Sequence, residues 1–200
     1  MLQTDPPFSD AVEAAVGRIE ANTQAELVVV VAGRSGNYRD LSLLAGICTA
    51  ALGLVLALFA PVDFHAAWIP VDLLLLFACV AWASRRLPWV MRHLSSSDRK
   101  AEQVDHAANA AFHKEAVHAT RDRCGVLIYL SLLEDQIRII PDVGVSGHVP
   151  PATLDGLSWS FQDSDALIAG LDALGAVLAE HLPSKGESEN LISNAPRIHP

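Results

Sequence analysis

Hydrophobic and polar positions change rhythm several times along the chain. Phe8, Val12, Val16 and Ile19 recur at three- and four-residue steps, the spacing that lines one face of a helix. Asp10 and Glu13 form a capping-box-like start for that helix, and Asn22-Thr23 end it. Glu26–Ala32 (ELVVVVA) is a continuous β-branched run, the pattern of a strand covered on both faces, and Gly33 closes it. The helical period returns over Asp98–Ala119, with Val104, Ala108, Ala111, Phe112 and Ala119 on one side. Cys124–Leu132 (CGVLIYLSL) predicts another buried strand. The polar turn Glu134-Asp135 then leads into Gln136–Pro141 (QIRIIP), so these two strands form an antiparallel hairpin. Pro150-Pro151 opens a helix through about Phe161. A last helix, Ala166–His181, carries Leu167, Leu171, Leu174 and Leu178, starts after the capping aspartates Asp163 and Asp165, and stops at Pro183. Ser184–Pro200 has no period and is predicted to be disordered.

Two segments fit neither rhythm. Leu41–Ala60 (LSLLAGICTAALGLVLALFA) has no charge, and Ala66–Ser84 (AAWIPVDLLLLFACVAWAS) has only Asp72. At 1.5 Å per residue the first is long enough to cross a hydrocarbon core of about 30 Å. The second is shorter and begins with Pro70 and Asp72. Pro61-Val62-Asp63-Phe64-His65 joins them, and Trp68 at one end, with Trp82 and Trp89 at the other, suits interfacial aromatic belts. The expected unit is a two-helix transmembrane hairpin over 41–84 (41–60 and 66–84). Arg34 and Arg39 precede it, five basic residues follow between Ser84 and Lys100, and the connecting loop has none. Basic flanks stay cytoplasmic. A multi-pass inner-membrane protein with both termini in the cytoplasm follows.

Composition agrees. The chain is 51 % hydrophobic and 18 % charged, against about 25 % charged in soluble domains. The net charge of −9 carries no basic stripe for nucleic acid. Three cysteines, two of them inside the apolar segments, make no disulfide framework. Outside the hairpin, the element order predicts a small mixed sheet with helices packed on it, an α/β domain split by the insertion. Its two buried-type strands belong in one sheet, because neither satisfies its backbone alone.

The ordered series Gly125-Val126-Leu127-Ile128-Tyr129-Leu130-Ser131, Glu134-Asp135, Gln136-Ile137-Arg138-Ile139-Ile140 and Asp142-Val143-Gly144-Val145-Ser146-Gly147 resembles the second half of a TPM domain. Thr23-Gln24-Ala25-Glu26-Leu27-Val28-Val29-Val30 is similar to the family's T-G-A-E-I-V-V-V segment, with Gln24 where glycine is common. The resemblance covers about Phe8–Arg34 (8–34) and Asp98–Pro183 (98–183), with the hairpin in place of part of the segment that follows the first strand. It implies an α/β/α sandwich. Phosphatase activity and calcium binding are ascribed to members. Others serve as accessory factors for membrane complexes, in photosystem repair or as receptor auxiliary subunits, and bacterial membrane members often accompany LemA-type proteins.

Candidate chemistry is sparse. There is no P-loop, no Cys-x5-Arg and no Asp-x-Asp motif, and Arg138 is the one base between Cys124 and Pro183. Phosphate hydrolysis would therefore need a divalent cation such as Ca or Mg. Glu26, Glu134, Asp135 and Asp142 are the acids at strand ends and turns, and a hard cation takes about six to eight oxygen ligands. Asp142 is the best single ligand, at a strand terminus before the Gly144 bend, with Glu26 second. Asp142 also reads as a turn-capping aspartate, the commoner role of such a residue. Gly144 and Gly147 form a G-x-x-G candidate ligand loop. His106 and His113 share a helix face and His118 points elsewhere, which reads as surface decoration. Cys124 reads as a small core residue. Two functions are consistent with this: a membrane-tethered, non-catalytic assembly or quality-control factor whose acidic domain docks on a LemA-type or second TPM-domain partner, and a weak cation-dependent phosphatase.

Overall fold

A computed structural model describes residues 6–59, 61, 65, 67–87, 92, 95–160, 163–186 and 193–199. Val62-Asp63-Phe64 of the expected connecting loop, Trp89, Phe161 and the tail residues 187–192 and 200 lie outside the described residues. The first elements in chain order are α1 (Pro6–Asn22), β1 (Glu26–Ala32), α2 (Arg39–Phe59), α3 (Ile69–Arg86) and α4 (Ser97–Lys114). Then come β2 (Gly125–Ser131), β3 (Gln136–Pro141), α5 (Val143–Ser146), α6 (Pro151–Asp155), α7 (Ser164–His181) and β4 (Arg197–His199). They divide into two compact units, Met1–Ser35 with Ala101–Pro200, and Gly36–Lys100.

The first unit is built on a mixed sheet in the order β3-β2-β1-β4. β1 and β2 pair in parallel from Glu26↔Gly125 to Ala32↔Ser131, and every position of both is buried. The two runs expected in one sheet are therefore neighbours. β3 returns antiparallel on β2. Leu27, Val29 and Val31, with Val126, Ile128 and Leu130, face α1 and α7, whose Phe8, Val12, Val16, Leu167, Leu171, Leu174 and Leu178 complete that core. Val28, Val30, Leu127 and Tyr129 face the opposite way, onto Val104, Ala108, Ala111 and Phe112 of α4. Alternate side chains of each strand thus feed two helical layers.

Four expectations are corrected. Among the described residues helix α1 already includes Pro6, a turn before Asp10, and Phe8 is buried on it. Helix α4 stops at Lys114. Ala116 turns left-handed (φ 54°), so Val117 enters the core in place of Ala119. The Pro151 helix ends at Asp155 with Gly156 as its cap, and the chain beyond carries Trp159 onto Gly170 of α7. The tail is not wholly without structure, since Arg197–His199 joins β1 in parallel at Val30–Ala32. An edge backbone needs partners whatever the local period: Gly33 N–H donates to the His199 carbonyl at 2.9 Å, and Arg197 pairs with Glu115.

The second unit is a pair of packed helices, α2 and α3. Gly46 lies against Phe77, and Gly53 against Leu73 and Leu76, where small residues let the backbones approach. Arg85 Nε donates to Ser42 Oγ at 3.2 Å, and Asp40 pairs with Arg99 at 2.7 Å. Most other large side chains point outward, with Phe59 82 % and Leu74 66 % exposed. Among the described residues α2 alone is long and apolar enough to cross a membrane, with mean hydropathy 2.4 over its apolar window.

Candidate functional site

The candidate ligands Glu26 and Asp142 come to the same end of the sheet. Glu26 opposes Gly125 across β1–β2, and Asp142 N–H donates to the Gly125 carbonyl at 2.8 Å. Asp142 is buried, and both its carboxylate oxygens are occupied. Arg123 Nε reaches Oδ2 at 2.7 Å and Nη2 reaches Oδ1 at 2.9 Å, a bidentate clamp. Oδ1 also accepts from Val143 N–H at 2.7 Å, capping α5. The Arg123 guanidinium, first of all, holds the Asp142 carboxyl below its usual range and is itself raised in turn. A metal ion at Asp142 would have to displace a cation the chain already supplies, so this carboxylate as arranged does not fit a Ca or Mg site. The capping alternative is what the geometry shows.

Arg123 is the residue that sequence reasoning missed. It lies one position before the Cys124–Pro183 stretch, and it is aimed by an unusual backbone: Ala116, Asp122 and Arg123 all have φ near 55° without being glycine. Gly144 belongs to the same arrangement. A Cβ there would run into the Asp122 and Arg123 carbonyls, so glycine is required for α5 to approach the turn before β2. Gly147 has φ −74° and caps α5. The G-x-x-G pair thus shapes the end of the hairpin around Arg123.

Glu26 sits beside a second buried acid. Glu20, on α1, accepts from Leu27 N–H at 2.9 Å, which satisfies a backbone donor of β1. Burial pushes the Glu20 carboxyl up to about 7, with the negative Glu26 adding to the effect. It is a group able to exchange a proton near neutrality. Its working partner in the structure is the fold itself.

The opposite end of β1 and β2 holds a cluster from residues that the sequence separates widely. Glu134 accepts from Ser35 N–H at 3.2 and 3.1 Å and from Ser131 Oγ–H at 2.5 Å. Ser35 Oγ lies 2.6 Å from Ser131 Oγ and 3.1 Å from the Tyr129 hydroxyl. Burial raises the Tyr129 hydroxyl pKa. Asp135 turns left-handed (φ 58°) in the β2–β3 turn, and the Glu134 carboxylate pins that turn to the chain leaving β1. Only the parallel register, Ala32 against Ser131, brings these groups together.

The histidines also move from their expected places. Because α4 ends early, His118 folds back, and its ring lies 5.5 Å from that of His113. Among the described residues no group of three His, Cys, Asp or Glu side chains converges to hold a metal ion. Burial raises the Cys124 thiol pKa, consistent with a core residue.

Two grooves open on this unit. One, of about 360 Å³, runs along β3 and is lined by Ile137, Ile139, Pro141, Val149, Leu154 and Trp159 among others. The other, of about 450 Å³, lies between α1 and α7 at Arg18, Asn22, Asp172 and Gly175. Neither is lined by Glu20, Glu26 or Asp142.

Together these elements define a mixed α/β domain with helices on both faces of a four-stranded sheet. No family model and no curated protein matches the chain. Among solved structures it is similar to the NMR structure of BA42 protein from the psychrophilic bacterium Bizionia argentinensis, with a TM-score of 0.58 and 16 % sequence identity. The likeness covers 97 % of this chain and 94 % of that one, and it is a likeness of fold.

Proposed function

We propose that this chain is a membrane-anchored, TPM-like protein that works by docking rather than by turnover, as an assembly or quality-control factor for a membrane complex. The observation that carries the proposal is helix α2, whose apolar window is only 11 % buried. A water-soluble fold turns such a surface inward, and lipid or another membrane protein is its natural solvent. α2 and α3 then form the hairpin, with the arginine-rich flanks and both termini on the cytoplasmic side of the inner membrane. Docking is supported by the use already made of the α/β domain's polar groups. Asp142 clamps Arg123, Glu134 pins Ser35 and Ser131, and Glu20 caps Leu27.

Two measurements on the full chain test this. Expressed in bacteria, it should stay in the membrane pellet through alkaline carbonate extraction, and it should co-purify with membrane proteins in mild detergent. Turnover of phosphate monoesters with Mg²⁺, Ca²⁺ or Mn²⁺ should fall far below about 1 per second, the low end for enzymes. Metal-dependent hydrolysis above that rate, abolished by Asp142→Asn without unfolding, would replace docking with catalysis.

A further inference from the structure

Strand β3 is an edge of the sheet, and among the described residues no other strand pairs with its outer side. Opposed residues of β2 and β3 sum to a constant register, Ile128↔Ile139 and Val126↔Pro141 among them. The bond from Asp142 N–H to the Gly125 carbonyl sets the phase of that ladder. Bonding pairs alternate in an antiparallel ladder, so Gln136, Arg138 and Ile140 point their backbone groups at β2. Ile137, Ile139 and Pro141 point theirs outward. The outer edge therefore offers two N–H groups, from Ile137 and Ile139, and three carbonyls. Proline supplies no N–H.

One of the three carbonyls is already taken. Arg138 Nη1 donates to the Ile137 carbonyl at 3.0 Å, while its Nε is paired with Asp105. What remains is two donors, at Ile137 and Ile139, and two acceptors, at Ile139 and Pro141.

This remainder complements itself. Rotating a second β3 by a twofold axis through Ile139 sets Ile139 against Ile139 and Ile137 against Pro141. Ile139 N–H meets the Ile139 carbonyl in both directions, and each Ile137 N–H meets the other copy's Pro141 carbonyl. Four bonds form. The carbonyl whose donor would have come from Pro141 is the one that Arg138 satisfies. The same rotation places Gln136 opposite Asp142 of the other copy. Gln136 Oε1 is buried and has no hydrogen-bond partner among the described residues, whereas Asp142 carries the Arg123 guanidinium, 55 % exposed. A buried acceptor without a donor is thereby brought to a cation with donors to spare. Beside the ladder, the groove that holds Ile137, Ile139, Val149, Leu154 and Trp159 along with Arg138 and Asp155 would meet its own symmetry copy.

We infer that the α/β domain self-associates through β3, joining two four-stranded sheets into one across a twofold axis. Such an interface is isologous and closes on itself, so it ends at a dimer. A foreign extended peptide would find the same ladder, but nothing in it matches the missing proline donor and the orphan glutamine at once. The inference does not depend on whether the second unit enters a membrane.

The test uses the full chain in non-ionic detergent, with mass measured by sedimentation over a roughly hundredfold concentration range. Wild type should be dimeric. Ile139→Pro removes an outward N–H and leaves the β2–β3 ladder intact, since edge positions of this kind accept proline. It should weaken association by about tenfold or more while keeping the far-UV circular dichroism of wild type. Should that variant not fold, Ile139→Cys gives a second readout with Cys48, Cys79 and Cys124 replaced by alanine. Cα atoms of such a pair stand about 5.5 Å apart, within disulfide reach. Oxidation should give a covalent dimer, and Glu13→Cys on α1 should not. The inference is overturned by a wild type that stays monomeric throughout, with or without a foreign peptide in the groove. A dimer that Ile139→Pro leaves unchanged, or Glu13→Cys cross-linking as readily, overturns it too.

Discussion

The two units handle apolar side chains in opposite ways. In the sheet unit leucines and valines alternate between two enclosed cores, and Leu167, Leu171, Leu174 and Leu178 have no exposed surface. In the helix pair the buried positions are small ones, Ser42, Gly46, Ala81 and Ser84, while Leu52, Leu56, Leu58 and Phe59 stand outside. Residues of one chemical type thus do different work in one chain. In the first unit burial drives folding in water. In the second, small residues let the two backbones approach, and the large side chains are left outside, the face that the proposed membrane hairpin would turn to lipid.

That contrast is most sharply tested by moving the same changes between units. Two lysines on α2, Leu52→Lys with Leu56→Lys, should carry the largest effect. Each costs about 2.5–3.5 kcal/mol at the centre of a membrane helix, so the protein should shift from the carbonate-resistant pellet to the extract. If it stays in the pellet, the outward face of α2 is not in lipid. Next in size, Leu171→Ala should destabilise the sheet unit by about 2–5 kcal/mol, measured by thermal unfolding. Leu56→Ala should cost the helix pair less than about 0.5 kcal/mol. Equal costs would mean that the two units do not differ as described.

Smaller effects come from the buried carboxylates, which among the described residues all belong to the sheet unit. Glu20 has its pKa raised to about 7 from an ordinary 4.5. The folded chain therefore keeps a proton that the unfolded chain releases, and stability falls as pH rises through that window. Glu20→Gln keeps the acceptor for Leu27 N–H and removes the charge. It should gain about 1–2 kcal/mol at pH 8 and almost nothing at pH 4.5, seen as a flatter profile of Tm against pH. A gain that is the same at both pH values would assign the effect to packing. Asp142 has the opposite sign. Its lowered pKa contributes stability at neutral pH that is lost only in strong acid, below the usual carboxylate range. Asp142→Ala, which removes the cap of α5 and the Arg123 clamp, should cost about 1 kcal/mol or more, with helix content retained; of the changes named, only Leu56→Ala should cost less.

How much of the fold is legible in the chain depends on the range of the interaction that sets each element. β1 and β3 fall within their expected bounds, Glu26–Ala32 and Gln136–Pro141, because β-branched runs and a polar turn are local signals. The start of α7 is equally legible, since Asp163 accepts from Ala166 N–H at 2.7 Å as a cap should. The end of α4 is not, because its left-handed stop falls on Ala116, a good helix former. Nor is the clamp on Asp142: an arginine earns no notice in sequence until a φ of 57° at Asp122 and at Arg123 brings it onto that carboxylate.

Local sequence by itself determined strands β1, β2 and β3, the amphipathic faces, and the apolar character of Leu41–Ala60. Side-chain period and turn chemistry act over a few residues, and they need no distant partner to be read. Tertiary structure alone decided which groups meet. It set Ser35 against Ser131 and Glu134, closed Arg123 on Asp142, and drew Arg197–His199 out of a tail without period onto the edge of β1. Each of these joins residues far apart in the chain by satisfying a backbone or charged group that burial leaves in need of a partner. That need appears only once the sheet has formed, so no window along the sequence contains it.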